Sequence, residues 1–490
     1  MRLTSFLRNI RNKILGVNQA HARFDTLNQQ LDGLAERLQA YEARIDTVSA
    51  PAEAAVRDIA VLQSGQAGLA GQVADLSSQC GALSAQLDGL SRRLGSESAA
   101  LAERVHHDTM ALFARNAALF RSHAPRAPGA PRKQTEVVEK IAFLVHSKEL
   151  INHYGCVWDQ LPPDSFAVVL HGSVAAASVS DFTRWKCDVV TSEAVLSSGR
   201  SYRYLVSNHP VSDHGEPLIQ RLAQINIRFM YAAGKSGWNL SAWNSLYDVI
   251  LCFGPYHAAN FSHASDAVIV QMGYPRFDRY FNEPADPERL AKALGCDPSK
   301  KTVVWLPTQG AISSLGHFDE EIAALTSRYN VLVKMHPLTP LADPDKAAAL
   351  KRLPFTQVIA DASDNLPLYQ VADYMLFDYG GPPMAGIYTD KRMVLLNVPG
   401  AADDALTGDD SPDIAIRREL VSVEPDAHAI ARLLDDDTTW QVQAPARRRL
   451  RSLYFAPHFG FSAQVAAQAL TNLHRLVPHA DEPAPGKENF

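Results

Sequence analysis

Gly273-Tyr274-Pro275-Arg276-Phe277-Asp278 closes an apolar run and opens a turn, and two stretches downstream repeat that pattern. Lys334-Met335-His336-Pro337 follows about sixty residues on, and Ala372-Asp373-Tyr374-Met375-Leu376-Phe377-Asp378-Tyr379-Gly380-Gly381 about forty after that. Each sets polar residues at the end of an apolar segment. An open parallel sheet binds its ligands at that position, outside the carboxyl ends of its strands. The clusters are therefore read as parts of one site.

Working outward, short apolar runs alternate with polar, helix-like segments from Lys140 onward. Ile141 to Val145, Phe166 to Leu170, Cys187 to Val190, Tyr204 to Val206 and Val249 to Phe253 are predicted strands. So are Thr302 to Leu306, Asn330 to Val333, Thr356 to Ile359, Tyr374 to Phe377 and Met393 to Leu396. Continuous β-branched runs between helical stretches predict parallel sheets covered on both faces. Two series of strands split near residue 285 predict an α/β body of two Rossmann-like domains, 137–285 and 286–476, with the site in the cleft between them. A closing helix is expected from Ser462 to Leu476, and a disordered tail over 477–490.

The first quarter reads differently. Leu27, Leu31, Leu34, Leu38, Tyr41, Ile45 and Val48 alternate spacings of four and three, and after Pro51 the register carries on through Ala52, Ala55, Ile59 and Leu62 and then from Leu69 to Leu94. That period predicts an α-helical coiled coil over 21–121 and, through it, a homo-oligomer. The alternative is one long amphipathic helix folded back on the body. Residues 1–20 hold Arg2, Arg8, Arg11 and Lys13, with Leu3, Phe6, Leu7, Ile10 and Ile14 on one helical face. Such a helix suits the headgroup layer of an anionic membrane, or simply starts the rod with a solvated basic face. Ala124-Pro125-Arg126-Ala127-Pro128-Gly129 marks a Pro-rich linker over 122–136.

Composition narrows the functional classes. A net charge of −6 over 490 residues gives no case for nucleic-acid binding. The five cysteines are scattered, with no C-x-x-C pair and no metal spacing, so neither a metal nor a cofactor is expected. No run reaches the length of a membrane span. The expected location is the cytoplasm, peripheral on the inner face of the cell membrane.

Together the clusters resemble the CDP-glycerol glycerophosphotransferase family, the teichoic-acid primases and polymerases of GT-B-like fold. The family's GYPRND segment is similar to Gly273 to Asp278, with Phe277 in place of Asn. Its ILYAPT is similar to Val303-Val304-Trp305-Leu306-Pro307-Thr308, and its KLHP to Lys334-Met335-His336-Pro337. Its ADVLITDYSS, followed by a KP turn, is similar to Ala372 to Gly381 and then Lys391-Arg392. The resemblance covers roughly residues 200 to 400.

The resemblance implies a transferase that moves a glycerol-phosphate or polyol-phosphate unit from a CDP-linked donor to a cell-surface glycan or lipid-linked acceptor. The second domain would hold the donor and the first the acceptor. His336 would bond a diphosphate oxygen, and Lys334 would add positive charge to the leaving phosphate. Thr308 and Arg276 belong to the same implied donor side, although Arg276 could equally clamp Asp278. Adjacent Gly380 and Gly381 would let backbone N–H groups approach a phosphate, or merely form a turn. Asp378 would shape the loop or meet ribose or glycerol hydroxyls.

One departure concerns the acceptor. The family's Trp-His-Gly segment followed by Lys carries its expected general base, and it corresponds here to Tyr231-Ala232-Ala233-Gly234-Lys235, with Ala233 at the histidine's position. Candidate acceptor-side residues are His209, Asp213, His214 and Lys235, with His171 a further possible base. A different acceptor, a nucleotide-sugar glycosyltransferase, or a non-catalytic coiled-coil scaffold with a nucleotide-binding body remain alternatives.

Overall fold

The computed structural model describes residues 136–477, apart from 173, 175–178, 214–215, 262–265, 284–285, 405–406 and 409, together with scattered positions between 32 and 89. The chain divides into two compact units, Met1–Ala99 and Ala100–Phe490. In the first, the scattered positions, such as Glu36, Arg37, Ser78 and Gln79, are helical and, apart from Gly33 and Gly89, exposed. The apolar heptad positions, the basic segment and the tail lie outside the described residues, as does nearly all of the linker. Among the described residues no helix is long and apolar enough to cross a membrane.

The described residues of the second unit begin with nine strands: β1 (Glu136–Val145), β2 (Phe166–Leu170), β3 (Asp188–Thr191), β4 (Arg200–Ser207), the short hairpin β5 (Ser212–Asp213) and β6 (Glu216–Pro217), then β7 (Ala223–Phe229), β8 (Val249–Cys252) and β9 (Val268–Gln271). All but the hairpin form one seven-stranded parallel sheet of order β3-β2-β1-β4-β7-β8-β9. Six more strands come after them: β10 (Thr302–Leu306), β11 (Asn330–Lys334), β12 (Gln357–Ile359), β13 (Tyr374–Phe377), β14 (Met393–Leu396) and β15 (Ser422–Val423). They build a second parallel sheet of order β12-β11-β10-β13-β14-β15. β2, β8, β10, β13 and β14 are buried along their whole length, as expected of strands covered on both faces.

The alternating pattern thus gives two parallel α/β layers, with more strands than the sequence suggested. β7 was not foreseen because Asn226 and Arg228 interrupt its apolar run, yet it sits inside the first sheet. Arg228 is fully buried there. It donates to Asn239 O at 2.6 Å and to Asn239 Oδ1 at 3.0 Å, bonds Asn244 Oδ1, and lies 4.4 Å from the Trp243 ring. A polar side chain that reads as a strand breaker instead ties down the loop after its own strand.

Both sheets share one topological device. In the first the chain runs outward through β1, β2 and β3, then returns to place β4 on the other side of β1. In the second it runs through β10, β11 and β12, then returns to place β13 beside β10. Where strand order reverses, the connecting segments diverge and leave a crevice at the carboxyl ends.

The closing helix expected after Ser462 is present as two, Ser462–Thr471 and Leu473–Leu476, preceded by a longer helix, Asp437–Tyr454. These return to the first sheet. Phe455 stacks on Tyr274 with ring centroids 5.8 Å apart and packs 5.9 Å from Phe253. Asp278 accepts from the backbone N–H groups of Ser462 (3.0 Å) and Ala463 (2.6 Å), capping the helix that begins there. One apolar cluster consequently runs from Ile227 and Phe253 through Met375 and Tyr388 to Phe455 and Ala466.

Candidate functional site

Both crevices open onto one cleft of about 520 Å³. Its first wall comes from segments that follow β1, β4, β7 and β9, and its second from segments that follow β10, β11, β12 and β13. Lining it are His336, Arg276, Thr308, Lys334, Gly380, Gly381, His209 and Lys235. Four other residues of interest stand elsewhere. Asp378 lies beneath the cleft, wholly buried. Asp213 is paired with Arg221 at 2.6 Å, and His171 Nδ1 is 2.8 Å from Ser192 Oγ; neither is among the lining residues. His214 falls outside the described residues.

His336 follows β11 and the buried Met335, and Pro337 comes directly after it. The backbone N–H of Leu338 donates to its Nδ1 at 3.2 Å. That bond needs the lone pair on Nδ1, so a neutral ring carries its proton on Nε2. Burial lowers the pKa of His336; the Lys235 charge lowers it further and Glu149 opposes both. The ring therefore donates a hydrogen bond from Nε2 without needing a full positive charge.

Lys334 is engaged differently from the role the sequence suggested. Its ammonium donates to Ser363 O at 2.7 Å and to Ser363 Oγ at 2.6 Å, with Asp361 at 3.5 Å. It fixes the segment after β12, which forms the cleft floor. Arg276 pairs with Asp364 (3.2 Å) and not with Asp278, whose carboxylate serves as the helix cap. Its other nitrogen reaches His153 Nε2 at 3.0 Å, and Glu149 stands 3.7 Å away. Burial and the Arg276 charge lower the pKa of His153, consistent with a ring nitrogen that accepts from the guanidinium. His153 and Glu149 were not foreseen, because they sit on a helix and its approach with no local signature.

The loop after β13 is held from below and from the side. Asp378 accepts from Thr308 N (2.9 Å), Ser314 N and Oγ (both 2.8 Å) and Tyr379 N (2.8 Å), and these bonds hold the loop. Gly380 takes φ +94, the region that favours glycine, and the helix Gly381–Tyr388 starts directly after it. The Gly380 N–H donates to buried Asp413 at 2.8 Å, and Pro382 and Pro383 have no N–H to offer. The phosphate cradle expected of two adjacent glycines is thus reduced, in this conformation, to what Gly381 and the Thr308 hydroxyl provide. Asp413 also accepts from Lys235 N at 3.3 Å and from Ser411 Oγ, so one carboxylate joins the loops of both walls. No sequence signal marked it.

Gly234 explains how close those loops come. A Cβ there would lie 2.6 Å from Gly380 O and 2.9 Å from Gly380 C. Ala233 is buried and presents no titratable group, while its carbonyl oxygen is 3.3 Å from the Nε2 of buried His257.

Residues 250–381, which include the end of β9, the Gly273–Asp278 turn, the His336 turn and the β13 loop, match the family described as CDP-glycerol:poly(glycerophosphate) glycerophosphotransferase. No curated protein matches the chain by sequence. Among solved structures, the wall teichoic acid polymerase TagF is similar over 80% of this chain and 99% of its own, with 14% identity and a TM-score of 0.51. A TagF variant soaked with CDPG is similar over 79% of this chain and 97% of its own, also at 14% identity and TM-score 0.51. At that identity the likeness shows a common fold.

Against the glycerophosphotransferase pattern, the departures have physical explanations. Phe277 is buried between Tyr274 and Tyr369, with centroids 4.9 and 5.0 Å away, so an apolar ring completes the joint where the family has Asn. Gly380 stands where the family has a serine and takes φ +94, a backbone region that favours glycine, while the near contact of the two loops requires Gly234.

Proposed function

We propose that this chain transfers a glycerol-phosphate or related polyol-phosphate unit from a CDP-linked donor to a hydroxyl of a glycan or lipid-linked acceptor. The observation that carries this reading is the placement of His336, with its proton on Nε2, in a cleft between two switch points, within a segment of the glycerophosphotransferase family. In such a reaction the acceptor oxygen bonds to the phosphorus that bears glycerol. The bond from that phosphorus to the bridging oxygen breaks, and CMP leaves with the electron pair. His336 Nε2–H and the nearby Lys235 charge are suited to bind the diphosphate and the negative charge that grows on the leaving phosphate. Thr308 and Gly381 line the same side, and Arg276 is assigned to fixing His153 and Asp364 around it.

The test is turnover of CDP-glycerol against a panel of nucleotide sugars, with CDP affinity measured by calorimetry. His336→Ala is expected to lower turnover by about 10²-fold or more. Turnover of nucleotide sugars alone would transfer the site to the glycosyltransferase reading. For residues 1–121 we propose oligomerisation through the heptads and contact with an anionic surface through the basic segment. Sedimentation of the full chain alone and with anionic vesicles, compared with a chain lacking 1–121, tests both.

A further inference from the structure

We infer that His209 is the group that takes the proton from the acceptor hydroxyl, held in the required tautomer by Asn208 and His146. The inference rests on the transfer reaction proposed above and supplies the base that Ala233 lacks.

The first sheet reverses its strand order between β1 and β4, so its crevice opens at the carboxyl ends of those two strands. The residue after β1 is His146, and the residues after β4 are Asn208 and His209. The sheet therefore delivers two imidazoles to one point, with ring centroids 4.6 Å apart. Asn208 is buried between them. Its Oδ1 is 2.9 Å from His146 Nε2 and 3.3 Å from His209 Nδ1.

A carbonyl oxygen only accepts, so each of those nitrogens carries its hydrogen. A neutral His209 with hydrogen on Nδ1 has its lone pair on Nε2, the form a general base needs. Burial lowers the pKa of His146, which disfavours a positive charge on the ring next to the imidazolium that forms on His209. The strand end is itself fixed, since Ser207 Oγ is 2.8 Å from Tyr247 OH, both buried. His209 lines the cleft, with Trp238 at 5.6 Å between ring centroids, and His336 is on the opposite wall of the same cleft.

The step balances simply. His209 Nε2 takes the hydroxyl proton as the acceptor oxygen bonds to the glycerol-bearing phosphorus. The bridging P–O bond breaks toward CMP, and the imidazolium returns its proton to solvent. His209 is the catalytic residue; Asn208 and His146 are positioning residues.

The experiment uses the full chain, CDP-glycerol and a soluble oligo(glycerol phosphate) primer. His209→Ala is expected to lower the transfer rate by about 10²- to 10⁴-fold, with CDP affinity unchanged and part of the rate restored by added imidazole. Asn208→Ala is expected to lower the rate less, and ¹⁵N spectra of the His209 ring should show the Nδ1–H form in the wild type and a mixture in the variant. A His209→Ala protein that keeps the wild-type rate, or loses CDP affinity in step with its rate, overturns the assignment of the base alone. A wild-type ring with hydrogen on Nε2 overturns it as well. A wild-type protein that binds CDP yet transfers nothing from CDP-glycerol overturns the reaction itself, and the base with it.

Discussion

Removing the Asp413 carboxylate should loosen the cleft from the inside. Asp413→Ala leaves the N–H groups of Gly380 and Lys235 without the oxygens they meet at 2.8 and 3.3 Å. An orphaned buried donor costs about 1–3 kcal/mol. Gly380 lies in the buried part of the site and takes the upper part of that range, whereas Lys235 is half-buried and, with water in reach, takes the lower. The expected loss is about 3 kcal/mol. Asp413→Asn keeps an oxygen for Gly380 but turns an amide N–H toward the Lys235 N–H, so about half of that loss is expected. Urea unfolding followed by tryptophan fluorescence measures the change, and amide hydrogen exchange localises it to the peptides holding Gly380 and Lys235. An Asp413→Ala protein within about 0.5 kcal/mol of wild type, the range of an ordinary surface substitution, would refute the idea that this carboxylate joins the two walls.

Gly234→Ala places a methyl 2.6 Å from Gly380 O, with backbone rather than a flexible side chain in the way. Overpacking of this kind is expected to destabilise by about 1–3 kcal/mol and to raise the KM for CDP-glycerol; an unchanged KM and unfolding midpoint would show that the loops separate freely. His257 gives a pH dependence. Burial pushes its pKa from 6.5 down to about 4 in the folded protein. The unfolded chain takes a proton that the fold excludes, so the full contribution is present above pH 6.5 and is lost as pH falls toward 4. The loss reaches about 3 kcal/mol. Unfolding free energies measured across that window should fall less steeply for His257→Gln than for wild type.

The sequence announced the second sheet more fully than the first, for identifiable reasons. Thr302 to Leu306, Tyr374 to Phe377 and Met393 to Leu396 are unbroken apolar runs, and their ends coincide with the observed strands. β7 was hidden because buried Arg228 donates to Asn239 and the Asn226 backbone N–H to Asp248, both outside the strand, information that no local window contains. The site divides in the same way. His336 stands directly after an apolar run and is read by the strand-end rule. The same rule reaches His146, which follows β1, but gives no reason to pair it with His209 until the strand order is known. Asp413 acts on Gly380 and Lys235 from far along the chain, and a contact across such a separation leaves no spacing to detect.

The helices that return to the first sheet have a consequence for synthesis. A nascent chain that has delivered β1 through β9 still exposes Phe253 and Tyr274, because Phe455 has yet to emerge. Asp278 likewise waits for the N–H groups of Ser462 and Ala463. The first half of the body therefore cannot complete its core as an independent cotranslational unit, although domains commonly fold in the order in which they are made. Its final packing is postponed until the end of translation, and the aromatic joint stays uncovered by Phe455 until then.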